Sequence, residues 1–147
     1  MERLEIGNAA VCIGSTKQSI QKWLLKGQIT LPDVRAEKGQ RATFSAFNLC
    51  FLGLLNQFIT YGVGVRAANS LAQSVFQDET LLLEPTDDLL AKVQNRWVYL
   101  TKTHGEWKVG VWQRVALDRP STLVIDLTAL FSDVLGRAAE IGKNKVA

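Results

Sequence analysis

A chain of 147 residues with 47% hydrophobic content and a formal charge of +3 is long enough for one compact domain or two very small ones, and its composition is globular rather than disordered or fibrous. No apolar run reaches membrane-spanning length, and Met1-Glu2-Arg3-Leu4-Glu5 lacks the basic-then-apolar layout of a secretory leader, so a cytoplasmic protein with no membrane partner is expected. The charge is uneven. Residues 1–44 hold seven Lys/Arg against four Asp/Glu, residues 45–84 one against three, and the remainder nine against seven. The N-terminal excess suits a phosphate-facing surface, although a basic face is more often simply solvated.

Few groups suggest catalysis. Cys12 and Cys50 each lie in an apolar, helix-like stretch with no Cys or His at ligand spacing, so buried free thiols are expected and no metal. His104, the only histidine, falls in Thr103-His104-Gly105-Glu106, a turn sequence without a partner for general-base work. With no nucleophile–base pair, no phosphate-cradling glycine loop and no metal-ligand cluster, neither an enzyme nor a cofactor is expected.

From Ile6 to Ile29 the apolar residues Ile6, Ala9, Ala10, Ile13, Ile20, Trp23, Leu24 and Ile29 follow helical spacing with an interruption at Gly14, which predicts two short helices and a tight turn. Thr16 is a good N-cap for the second helix, about Lys17 to Lys26, and Gly27 can close it in a left-handed conformation. Ile20, Trp23 and Leu24 form the inward stripe of that helix. Lys17, Gln18, Gln21 and Lys22 are left on other faces, and such side chains reach base edges or phosphate oxygens. An ordinary solvated helix face is the competing explanation of the same pattern.

Residues 33–44, Asp-Val-Arg-Ala-Glu-Lys-Gly-Gln-Arg-Ala-Thr-Phe, form a polar, wing-like stretch whose Arg35, Lys38 and Arg41 could follow a sugar-phosphate backbone or enter a minor groove. Ser45 then caps a helix from Ala46 to about Ile59 that is apolar nearly all round and must be core or interface. Tyr61-Gly62-Val63-Gly64 breaks the chain before a fourth helix, Val65 to Phe76, with Leu71 and Val75 inward.

In the second half, Leu81-Leu82-Leu83 is a short apolar run, and Asp87 is a candidate cap for a brief helix through Val93. Trp97 to Thr101 and Trp107 to Trp112 alternate as a hairpin joined by five residues, 122–125 looks like a third strand, and Asp126 can cap a last amphipathic helix. Three strands and one helix cannot bury both faces alone, so this module should lean on the first half or on a second copy. Trp97, Tyr99, Trp107 and Trp112 are either a ligand pocket or, more commonly for such a cluster, plain core.

Over roughly Leu4 to Val75 the chain resembles the DNA-binding domain of MerR-family regulators. The resemblance is carried by Ile6-Gly7, Ala9-Ala10, Ile13-Gly14, Thr16, Ser19-Ile20-Gln21-Lys22-Trp23, Lys26-Gly27-Gln28-Ile29, Pro32, the Gly39 to Arg41 stretch, Phe44-Ser45 and Tyr61-Gly62-Val63. It implies an N-terminal winged helix-turn-helix of four helices plus wing over residues 1–77; with the small hairpin, strand and helix module read from the residues over 78–147, for which dimerisation is the natural use, an α+β chain is expected. It further implies a bacterial, nucleoid-associated transcriptional regulator whose partners are double-stranded DNA, a second copy of the chain and RNA polymerase. Thr16, Lys17, Gln18, Gln21, Lys22 and Trp23 would meet the DNA from the second helix, and Arg35, Lys38 and Arg41 from the wing. The chain departs from the best-known branch in having Gln21 where Arg is usual, a wing reduced to Gln40-Arg41-Ala42-Thr43-Phe44, and no long coiled-coil helix. Two alternatives share the pattern: an excisionase-like factor that bends DNA, and a protein-interaction module without DNA binding.

Overall fold

A computed structural model describes residues 1–32, 34, 42–113 and 123–146. The chain is α+β. Among the described residues it has six helices and two antiparallel sheets, one of two strands and one of three.

Strand β1 (Leu4–Glu5) leads directly into helix α1 (Ile6–Ile13), which ends at Gly14 with φ +74°. Helix α2 (Lys17–Leu25) follows after a three-residue turn, and the Thr16 hydroxyl accepts from Ser19 N at 3.1 Å, as its cap position predicts. Gly27, at φ +62°, closes the helix in the left-handed conformation that a side chain would resist. The two-residue strand β2 (Thr43–Phe44) pairs with β1, Leu4 opposite Phe44 and Glu5 opposite Thr43. Sequence reading missed β1, because two residues are too few to carry an alternating signal.

Helix α3 (Ala46–Thr60) is the central element. Residues Phe47 to Leu55 and Phe58 are all buried, as its all-round apolar sequence required. Ser45 and Asn48 form a reciprocal capping box at its start. Helix α4 (Val65–Phe76) buries Ala68, Leu71, Ala72, Val75 and Phe76. The next short helix, α5 (Leu89–Lys92), is capped by Asp88, whose side chain accepts from Ala91 N, and not by Asp87. Asp87 instead accepts from Glu84 N at 2.8 Å and pairs with Lys92 at 3.5 Å, which tightens the loop before the helix.

Strands β3 (Trp97–Thr103) and β4 (Glu106–Trp112) run longer than expected, leaving a two-residue turn, His104-Gly105, where five residues had been assigned. Both turn residues have positive φ, 52° and 79°. That geometry matches the right-handed twist of the strands and lets pairing run up to Thr103 opposite Glu106. Strand β5 (Leu123–Asp126) lies on the other side of β3, so the order is β4-β3-β5. Asp126 caps the long helix α6 (Leu127–Val146) through Ala129 N.

The sheet register separates its aromatic residues. Val98, Leu100 and Ile125 share the face that enters the core, and Trp107, Val109, Val111 and Leu123 pack beside them. Trp97, Tyr99, Trp112 and Val124 lie on the opposite face. The four aromatics therefore do not converge on one pocket. Trp107 meets Tyr61 edge-on at 6.4 Å, whereas Tyr99 meets Trp112 at 6.3 Å on the other side.

Residues of both halves enter one hydrophobic core, with Phe44, Phe58, Leu100 and Phe131 fully buried in it. The C-terminal module leans on the N-terminal one through α6, which packs on α1 and α3, and through β4, which packs on α4.

Candidate nucleic-acid interface

Helix α2 is held from inside. Ile20 is fully buried, Trp23 is 6% exposed, and Leu24 is half-buried against the core. The α1–α2 unit is in turn anchored at the end of α1, where backbone carbonyls lack helical partners. Arg137 of α6 donates to Cys12 O at 3.3 Å, and Asn56 of α3 donates to Ile13 O at 3.0 Å. Three helices thus fix the direction in which α2 points.

Its outward face carries Lys17, Gln18, Gln21 and Lys22, all exposed. At 100° per residue the centre of this face is Leu25, a side chain 87% exposed to solvent. Sequence reading did not single out Leu25. The signal was available, because Leu25 is the one apolar residue of the helix outside the Ile20, Trp23 and Leu24 stripe, but exposure is a tertiary property. A groove of about 610 Å³ runs beside this face, bounded by Lys17, Gln21 and Leu25 on α2 and by Glu5, Gly7 and Asn8 on the first turn of α1 and the strand before it. Lys17 is the basic side chain among these bounding residues and Glu5 the acidic one.

The remaining predicted residues divide into three groups. Thr16 is exposed, and its hydroxyl is engaged with Ser19, accepting from the backbone N–H and donating to Oγ at 2.9 Å. Trp23 belongs to the core side of α2, away from the Lys and Gln face. Arg35, Lys38 and Arg41 lie outside the described residues.

Both ends of the segment that contains those three are anchored. Before it, the Asn48 amide donates to Pro32 O at 2.8 Å, and Asn69 of α4 accepts from Thr30 N at 3.4 Å. After it, β2 pairs with β1, and Arg3 donates to Thr43 Oγ1 at 2.9 Å and to Thr43 O at 2.8 Å. Asn48 is the buried polar residue of the core. Its Oδ1 also accepts from Ser45 N at 2.9 Å, so its hydrogen-bonding capacity is used on both sides.

The two thiols are free and buried. Burial pushes Cys50 up to about 12. Burial likewise raises Cys12, and the Arg137 charge works against that rise. Neither is a thiolate nucleophile near neutral pH. Among the described residues no group of three or more His, Cys, Asp or Glu side chains could hold a metal ion, and no helix is long and apolar enough to cross a membrane. Compared with models of known protein families and with curated protein sequences, the chain matches none.

Proposed function

We propose that this chain is a sequence-specific, double-stranded-DNA-binding transcriptional regulator acting as a homodimer, with α1 and α2 as a helix-turn-helix and residues 33–44 as its wing. The supporting observation is the face of α2. Two lysines and two carboxamides stand exposed on a helix whose opposite stripe is locked into the core, so the face is presented in a fixed orientation. Gln can read adenine in the major groove, Lys reads guanine or holds phosphate, and Leu25 can cover a thymine methyl group. A nine-residue helix spans few base pairs. Pairing two copies over half-sites about one helical turn apart supplies the missing length of site.

Fluorescence anisotropy on DNA selected from a random pool tests this. Each of Lys17→Ala and Lys22→Ala should lower the slope of log affinity against log salt by about 0.9. Lys17→Glu with Lys22→Glu should abolish binding. Leu25→Ala should leave the salt slope intact and relax preference at one base pair. Absence of any salt-dependent binding by the unaltered protein overturns the proposal.

The exposed Leu25 also favours a second reading, a protein-interaction module. In that case Leu25→Ala abolishes partner binding, and the double charge reversal does not.

A further inference from the structure

A second cavity, separate from the outward face of α2, opens where the loop leaving that helix passes over α3 and α4. It has a volume of about 280 Å³. Its wall is built from Phe47 and Phe51 of α3 and Phe76 of α4, with both α3 rings edge-on to Phe76 at 5.2 Å. Leu31 and Pro32 form one lip and Leu83 the other. Gln73 of α4 and Gln77, the residue that ends that helix, place two carboxamides in the lining.

Leu83 is held there by unusual backbone. Leu82 has φ +42°, a left-handed value that leucine rarely adopts, and is 57% exposed, while its neighbours Leu81 and Leu83 are turned inward. Leu83 N donates to Phe76 O at 2.8 Å, tying the lip to the aromatic wall. Strain of this kind persists where surrounding contacts over-determine it and is found at ligand clamps.

We infer that this cavity is a binding site for a small, neutral, planar aromatic molecule carrying one hydrogen-bonding group, and that its occupancy tunes the presentation of α2. The size follows from volume, since about 150 Å³ holds a benzene ring in an enclosed cavity and this one, open on one side, has about 280 Å³. Neutrality follows from the lining, which is apolar, carboxamide or hydroxyl and holds no charged side chain to pair with a ligand charge. The coupling follows from position. The ligand touches Thr30, Leu31 and Pro32, which join α2 to the segment after it, and of these Asn69 clamps Thr30 to α4 and Asn48 clamps Pro32 to α3. An occupant that fits the present cavity favours this setting of the loop over others, and DNA affinity changes by the difference. Only this coupling rests on the DNA-binding proposal.

Indole, neutral and bicyclic with one N–H, is a suitable probe, and indole-3-acetate is its charged counterpart. Titrated into the full chain and followed by amide NMR, indole should give saturable shifts at Thr30, Leu31, Leu83 and the Gln73 side chain. Indole-3-acetate should bind several-fold more weakly, because the lining holds no cation to pair with its carboxylate. Leu31→Phe should abolish the shifts by filling the cavity from the loop, and Gln73→Ala should weaken binding without altering the wall. Failure of indole to saturate up to its solubility limit, or equal binding by Leu31→Phe and the unaltered chain, overturns the site. Saturating indole that leaves DNA affinity unchanged overturns the coupling. A chain that binds indole as stated but binds no DNA keeps the site and loses the DNA-binding proposal instead.

Discussion

Cys50 and Cys12 illustrate how much of a residue's chemistry its surroundings decide. The sequence places both in apolar helical stretches, which predicts buried thiols, and both are fully buried in the structure. Burial disfavours the charged thiolate, so the folded Cys50 stays protonated up to about 12 whereas an exposed thiol ionises near 9.0. Because the folded value is the raised one, the stabilisation is complete below pH 9 and is lost as pH climbs towards 12. Stability should fall in that window by up to about 1.4 kcal/mol per pH unit for this thiol. Urea midpoints measured between pH 8 and 10.5 should show a shallower decline for Cys50→Ala. An unchanged decline would mean that the thiol ionises freely in the folded state. Leu25 is the opposite case, an apolar residue whose exposure no local rule announces.

At the scale of elements, capping chemistry was the most legible part of the chain. Thr16, Ser45 and Asp126 cap the helices they were expected to cap, since a short polar side chain before an apolar run satisfies otherwise orphaned N–H groups. Asp87 and Asp88 are adjacent and chemically identical, but Asp88 accepts from Ala91 N whereas Asp87 is engaged by Glu84 N and Lys92. Asn48 exceeds an ordinary cap partner because it also binds Pro32 O. Asn48→Ala should therefore cost about 2 kcal/mol, about 1 from the cap and about 1 from the lost hydrogen bond to Pro32 O. Thermal unfolding measures the loss. Ser45→Ala, which removes only the cap hydroxyl, should cost about 1 kcal/mol. Equal losses for the two variants would show that the Pro32 bond contributes nothing.

Across the whole molecule, stability depends on the seam between α3 and α6. Gly53 sits where a Cβ would lie 2.9 Å from Val134 Cγ2, so the helices meet there at a distance only glycine permits. Valine is stiff at χ1 and cannot swing aside cheaply. Gly53→Ala should destabilise by overpacking, about 1–3 kcal/mol, against a helix-propensity gain of about 1 kcal/mol. A lowered melting temperature is expected, with partial recovery in Gly53→Ala combined with Val134→Ala, since the two sites are in contact. A higher melting temperature for Gly53→Ala alone would show that the seam has slack. Because α6 also donates Arg137 to the end of α1, loosening the seam should weaken the hold on α2 as well.

The sequence by itself determined the helices, the caps at Thr16, Ser45 and Asp126, the presence of the hairpin but not the length of its turn, and the buried thiols, because each depends on spacing and chemistry within a few residues. The exposed Lys and Gln face of α2 was legible for the same reason, once Ile20, Trp23 and Leu24 were assigned inward. Only the tertiary structure decided what depends on distant partners. It paired β1 with β2, divided the aromatics between two faces of one sheet, packed α6 against α1 and α3, and left Leu25 in solvent. It also formed the Phe47, Phe51 and Phe76 cavity from helices separated in sequence and closed it with Leu31 and Leu83. Such contacts depend on volumes and surfaces brought together by the fold, and no local pattern encodes them.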